Sequence, residues 1–246
     1  YWSHKQFKGP EGQDVTVEYC KTLEQSEAAA KKFLNEKVLG FDMEWSSYPS
    51  ANIKLNISVV QLACADRIAV FHIAQHSGTT VDRVLAPSLR KIIESPEYIK
   101  TGVNILGADG ARLEHWFRLK PQGLFELSHL WRLIRSERAA VNGEEESSRK
   151  LRAMAAQVSD QLGSPLLKDS VRTSDWTKPL TQKQIDYAAA DAYAGFMLFH
   201  VMNEKRKLMK PAPPLPAFAE LKQPIIHRLG PRIDGEGKKL KSPTGT

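Results

Sequence analysis

Asp42 and Glu44 stand two residues apart in the segment KVLGFDMEW, residues 37–45. Val38, Leu39 and Phe41 mark it as a buried strand. Side chains alternate faces along a strand, so the two carboxylates point one way and Phe41, Met43 and Trp45 the other. Two like charges beside a core are costly unless something positive neutralises them. Asp109 follows the strand-like run YIKTGVNI (98–105) and opens a helix, where alone it reads as an N-cap or first-turn acid. Tyr187 and Asp191 lie four residues apart on a long helix and share a face, which alone reads as a solvated surface. The three alanines between them leave that surface flat, so something large can approach it closely. Other chemistries find less support. The seven histidines are scattered without metal-ligand spacing, Cys20 and Cys64 show none either, and no serine lies in a nucleophile elbow.

Particular elements must position these side chains. DVTVEYC (14–20) alternates like a half-buried strand, and TLEQSEAAAKKFLNE (22–36) reads as an amphipathic helix capped by Thr22. After the carboxylate strand, NISVVQLACA (56–65) and RIAVFHIA (67–74) form two β-rich runs around the turn at Asp66, an antiparallel hairpin. A helix over 84–95, the strand 98–105, a helix over 109–117 and a strand running into a helix over 124–134 follow. NGEEESSRK (142–150) reads as a solvated loop. Residues 150–163 are helical with Gly163 as the stop, and 166–179 are irregular. The segment 180–207 is the strongest helix, opened by a Thr181/Gln184 capping box. Strands in a hairpin followed by alternating strand and helix predict a mixed sheet with helices on its faces. No repeat is visible. One domain is expected over 15–207, followed by a Pro/Lys-rich basic tail over 208–246.

No apolar run is long enough to span a bilayer, and the first residues lack a signal-peptide pattern. Without an initiating methionine the chain is expected to be a trimmed one that could have lost a targeting segment. Cysteine usage suits a reducing compartment, so an intracellular location in nucleus or cytoplasm is expected. The net charge is +7. From Glu204 onward ten Lys and Arg face four Asp and Glu, a balance of +6, which leaves +1 for residues 1–203. The positive charge therefore sits in the tail, which suits a polyanion such as nucleic acid or serves only solubility.

Taken together, GFDMEW, a Gly-Val strand leading to ADGARL, and YAAADAYAG resemble the three exonuclease motifs of the DEDD superfamily in its tyrosine-type branch. The similarity is greatest to Werner-type and RNase D-like 3′→5′ exonuclease domains. It covers most of 15–207 and includes Trp176, Pro179–Leu180 and Gln184. D-x-E alone is weak; three motifs in order with Y-x-x-x-D spacing are specific. The other branch carries a His five residues before the last Asp, where this chain has Asp186. The resemblance implies a ribonuclease H-like mixed β-sheet flanked by α-helices, and a pair of Mg²⁺ or Mn²⁺ ions as the positive partner. It further implies that Asp42 bridges both ions, that Glu44 and Asp191 hold one and Asp109 the other, and that Tyr187 orients the attacking water. The function implied is metal-dependent 3′→5′ hydrolysis of nucleic acid to nucleoside 5′-monophosphates. One departure is visible: GVNILGAD is one residue longer than in relatives. That implies a bulged strand end or an alignment shifted by one, while Asp109 keeps its four-residue spacing to Leu113.

Four further residues are candidates for the substrate strand. Met43 and Trp45 flank the carboxylates and could pack on a terminal base or sugar, against a reading as core residues on the opposite strand face. Trp176 and Lys168, with Arg172 and Lys178, place an aromatic among cations, against a reading as a buried tryptophan in a solvated loop. The competing functions are a catalytically weak nucleic-acid-binding domain of the same fold and a strand-removing nuclease in an RNA-silencing complex. The expected partner is nucleic acid, as a single strand or a duplex 3′ end. No membrane is involved, and a protein could bind the tail.

Overall fold

The computed structural model describes residues 1–48, 50–142, 150–167 and 170–225. The expected loop at 142–150, Lys168 and the tail beyond Ile225 fall wholly or largely outside these residues. The elements run β1 (Thr16–Cys20), α1 (Leu23–Lys31), β2 (Val38–Glu44), α2 (Ile53–Asn56), β3 (Val59–Ala63), β4 (Arg67–Phe71), α3 (Val81–Val84) and α4 (Pro87–Glu94). Then come β5 (Ile99–Gly102), α5 (Ala111–Phe117), β6 (Leu124–Glu126), α6 (Leu127–Asn142), α7 (Met154–Leu162) and α8 (Gln182–Lys207).

The six strands form one mixed sheet in the order β1-β4-β3-β2-β5-β6. The hairpin read from the sequence is β3/β4, closed where Cys64 N–H donates to the Arg67 carbonyl at 2.9 Å. β2 lies inside the sheet, antiparallel to β3 and parallel to β5. Helices flank the sheet, giving the ribonuclease H-like α/β architecture expected.

α8 lies across the sheet face that carries the carboxylates. Its start is built as the sequence predicts: Thr181 and Gln184 cap each other's backbone N–H groups. The approach of α8 to β2 is set by two glycines. A Cβ on Gly40 would fall far inside van der Waals contact with the Ala192 carbonyl, and one on Gly195 would sit 2.8 Å from the Thr101 carbonyl. Ala188, Ala189 and Ala192 are all fully buried. The flat alanine surface expected to receive something large is therefore turned inward in part, and what packs closely against this helix is the sheet itself.

The N-terminal residues and the segment 208–225 also pack on this frame. Trp2 N–H donates to the Pro165 carbonyl, and the Trp2 ring lies 6.1 Å from that of Tyr193 on α8. After α8, residues 208–225 fold back instead of trailing as an extended tail. Phe218, Ala219 and Ile225 rest on the core. Glu220 accepts the N–H groups of Gly123 and Leu124 at 2.5 and 3.1 Å, closing the start of the edge strand β6. Two backbone donors at a strand edge need partners, and a carboxylate supplies them at once.

Two substitutions test this frame. Gly40→Ala forces α8 away from β2 and should lower stability by about 1–3 kcal/mol or more, the usual cost of overpacking, in a denaturant melt. Glu220→Ala leaves two donors unpaired and should cost about 1–3 kcal/mol in the same melt.

Candidate active site

β2 ends at Glu44, at the edge of the sheet where the chain turns away, and the α8 contact brings Asp191 over it. One oxygen from each of Asp42, Glu44 and Asp191 lies within 4.8 Å of the others. Asp191 Oδ1 is buried and has no hydrogen-bond partner among the described residues. Three hard oxygen donors this close, one of them orphaned, fit a divalent cation of the Mg²⁺ or Mn²⁺ kind better than a histidine- or thiolate-preferring metal. The electrostatics agree. Burial first, then the charges of Glu44, Asp191 and Asp109, push the Asp42 carboxyl well above its usual range. Glu44 is pushed up to about 9 by burial and by Asp191 and Asp109. Asp191 rises to about 7 through burial, opposed by the Tyr187 hydroxyl and Arg172. Without a cation these acids hold protons, because no side chain within the cluster supplies a balancing charge.

Asp109 is brought near this set without joining the close triad. It is 4% exposed, and burial raises its carboxyl to about 8. Its charge still bears on Asp42 and Glu44. The extra residue before it does not bulge the strand. β5 ends regularly at Gly102, Asn104 takes a left-handed φ of 58°, and Leu106–Gly110 forms a π-helical turn leading into α5. Gly110 N–H donates to the Ile105 carbonyl at 2.7 Å, five residues back. A π turn takes up one more residue than an α turn, so the helix start has room for one extra residue with β5 left regular.

Tyr187 lies one turn before Asp191 in the same cleft, and its hydroxyl acts to lower the Asp191 carboxyl against the effect of burial. Burial and the neighbouring charges of Asp191, Glu44 and Asp42 raise the phenol far above its ordinary value, so it stays protonated. Its ring leans on Trp176, with centroids 6.0 Å apart. Trp176 is fully buried, its indole N–H donating to the Arg172 carbonyl at 3.2 Å. Of the two places open to Trp176 it takes the interior one, where it supports Tyr187 and does not face a substrate. Met43 likewise is 2% exposed and belongs to the core. Lys168 lies outside the described residues.

Trp45 is different, because it follows the last residue of β2. It lines two adjoining clefts. One, of about 760 Å³, contains Asp42, Glu44, Asp191, Tyr187 and Arg172. The other, of about 530 Å³, contains Tyr48, Arg112, His115 and Trp116. The Arg112 guanidinium lies 3.9 Å from the centre of the Trp45 ring. Sequence reading missed Arg112, although its place three residues after Asp109, one turn along the same helix start, was a signal that it faces the same side. It also left Arg172 as one cation among several, whereas the fold turns Arg172 toward Glu44 and Asp191.

Comparison with known proteins bears on this site. The 3′-5′ exonuclease family model matches residues 17–207. The mouse bifunctional 3′-5′ exonuclease/ATP-dependent helicase WRN is 31% identical over 183 residues, 72% of this chain and 12% of that protein. A 3′-5′ exonuclease of Arabidopsis thaliana is 29% identical over 171 residues, 68% of this chain and 52% of the other. The chain thus spans about half or less of the length of these curated relatives. The crystal structure of the Aedes aegypti Nibbler EXO domain superposes with a TM-score of 0.63 over 78% of this chain and 88% of that one, at 21% identity, a likeness of fold. The family match runs from the second residue of β1 to the last of α8, through every element that carries the acidic cluster, and the chain belongs to the DEDD superfamily of 3′-5′ exonuclease domains, as a relative of the WRN exonuclease.

Proposed function

We propose that the chain is a metal-dependent 3′→5′ exonuclease of the tyrosine type, releasing nucleoside 5′-monophosphates from the 3′ end of a nucleic acid. The observation that carries this reading is the convergence of Asp42, Glu44 and Asp191 within 4.8 Å, with Tyr187 one helical turn before Asp191 in the same cleft. Asp42, Glu44 and Asp191 would hold one Mg²⁺ or Mn²⁺ ion, and Asp109, with Asp42, would serve a second. When bound, such ions lower the pKa of water and stabilise the charge that develops on the phosphate and the leaving oxygen.

The chain's own residues supply position. Water attacks phosphorus, the bond to the 3′ oxygen breaks, and that oxygen leaves as the 3′-hydroxyl of the shortened strand. Tyr187 orients the attacking water through its hydroxyl. Its raised pKa rules it out as a base at neutral pH and suits it to donating a hydrogen bond. Arg172, facing Glu44 and Asp191 across the larger cleft, offers a cation to the phosphate of the departing nucleotide. The Trp45 indole, backed by Arg112, offers a face for base stacking where the two clefts meet. The basic C-terminal segment adds contacts to phosphates farther along the strand, which salt would screen.

The deciding assay follows end-labelled single- and double-stranded DNA and RNA in Mg²⁺. A ladder that shortens from the 3′ end and yields mononucleotides supports the reading. No Mg²⁺-dependent release from any of the four substrates refutes it.

Two predictions follow from the electrostatics. The cluster's carboxyls are raised in the fold, so their stabilising contribution is full below about pH 4, their unfolded range. It is lost progressively as pH climbs from there, and the loss is complete above about 7 for Asp191, about 8 for Asp109 and about 9 for Glu44. In EDTA the melting temperature should therefore fall over that interval, and saturating Mg²⁺ should flatten the fall. Tyr187→Phe keeps the ring against Trp176 and deletes one hydroxyl. Its kcat should drop by about 10²-fold, near the lower end for a positioned polar group, with KM and the Mg²⁺ midpoint near wild type. An unchanged kcat in steady-state assays would remove Tyr187 from the chemistry.

A further inference from the structure

Gln61 is fully buried, and neither atom of its carboxamide has a hydrogen-bond partner among the described residues. It lies on β3 directly opposite Asp42 on β2. Opposite residues of an antiparallel pair stand on the same face with Cβ atoms about 4.5–5.5 Å apart. The carboxamide therefore stands beside the Asp42 carboxylate, under α8. On that face Glu44 stands diagonally across, opposite Val59, and the neighbours on β3 and β4 are apolar. Val59 lies two residues earlier on β3, Val70 stands opposite on β4, and both pack against Ala188 and Trp176.

A leucine or methionine would fill this place at no polar cost. An amide left unsatisfied there costs about 1–3 kcal/mol per group. The residue type is informative for a second reason. A lysine or arginine at this position would neutralise Asp42 and compete with a cation, and a glutamate would add another negative charge. A carboxamide can donate a hydrogen bond to a carboxylate and leave its charge intact.

We propose that Gln61 is a positioning residue for Asp42. Its amide N–H donates to the Asp42 carboxylate when that group holds a divalent cation, and so fixes the direction in which the carboxylate offers its oxygens. In the cation-free protein the amide waits unpartnered. The assignment rests on the metal-dependent reading of the site. Ligand-orienting partners of this kind typically contribute 10–100-fold to metal affinity or activity.

The test compares Gln61→Met, which keeps the length and apolar stem, with wild type by thermal denaturation in EDTA and across Mn²⁺ and Mg²⁺ titrations, and by steady-state kinetics on an oligonucleotide. The expected result has three parts. Melting in EDTA is unchanged or raised, because an unsatisfied amide is gone. The metal concentration giving half the thermal shift rises about 10–100-fold. kcat falls at subsaturating metal while KM for the oligonucleotide stays near wild type. A lowered melt in EDTA with an unchanged metal midpoint makes the amide a structural group and overturns the proposal. An unchanged midpoint with an unchanged melt overturns it too. Gln61→Leu is run in parallel, and failure of both variants to fold in EDTA also counts against it. Failure of the underlying reading is distinguishable, because wild type would then show neither a metal-dependent shift nor nucleotide release.

Discussion

The contact between α8 and β2 is the constraint on which the site depends. Asp42 and Glu44 belong to a strand in the first fifth of the chain, and Tyr187 and Asp191 to a helix near its end. They meet because the helix backbone can lie almost directly on the strand. Gly40 and Gly195 leave no Cβ between the two elements, and alanines complete the surface. A side chain of ordinary size at either glycine would lift the helix, and an oxygen set spanning only 4.8 Å would open with it. Close packing here sets a ligand geometry, and tight interiors transmit such shifts because they have little slack.

That geometry works against the stability of the protein without a cation. Four carboxyls are gathered in a place that burial makes hostile to charge, and each is driven toward its protonated form. The surrounding fold has to hold them there. Trp176 wedges the Tyr187 ring, the Thr181/Gln184 box pins the start of α8, and the N-terminal residues and the returning C-terminal segment clasp the body of the domain. A polar cluster held by a rigid apolar frame is pre-organised: the cost of assembling it is met by folding, before any substrate arrives.

Around the acids the two arginines divide the surface. Arg172 looks into the cleft that contains the cluster, and Arg112 lies flat on Trp45 at the junction with the second cleft. Among the described residues neither forms an ion pair that would neutralise the acids outright. Positive charge is thus placed for a polyanionic strand, while the carboxylates stay available for cations.

Much of this was legible in the residues themselves. Alternation along 38–44 told which side of β2 carries the acids, the four-residue step told that Tyr187 and Asp191 share a face, and the capping box told where α8 begins, because these are local regularities of backbone geometry. The identity of the acids and tyrosine was legible in the same way, since their order and spacing are properties of the chain. Other features depend on residues far apart in sequence. Trp176 could equally have faced a strand of nucleic acid until packing put it under Tyr187. The extra residue before Asp109 could have bulged a strand until the fold left β5 regular and opened the next helix with a π turn. The Pro-rich stretch after Lys210 read as a free tail until Glu220 met the edge of β6. Gln61 was one polar residue in an apolar strand until the register of β2 and β3 set it opposite Asp42. Spacing along the chain determined which chemistry was available; only tertiary packing, through register and close approach, decided which side chains stand near enough to perform it, because those distances are set by residues that share no local pattern.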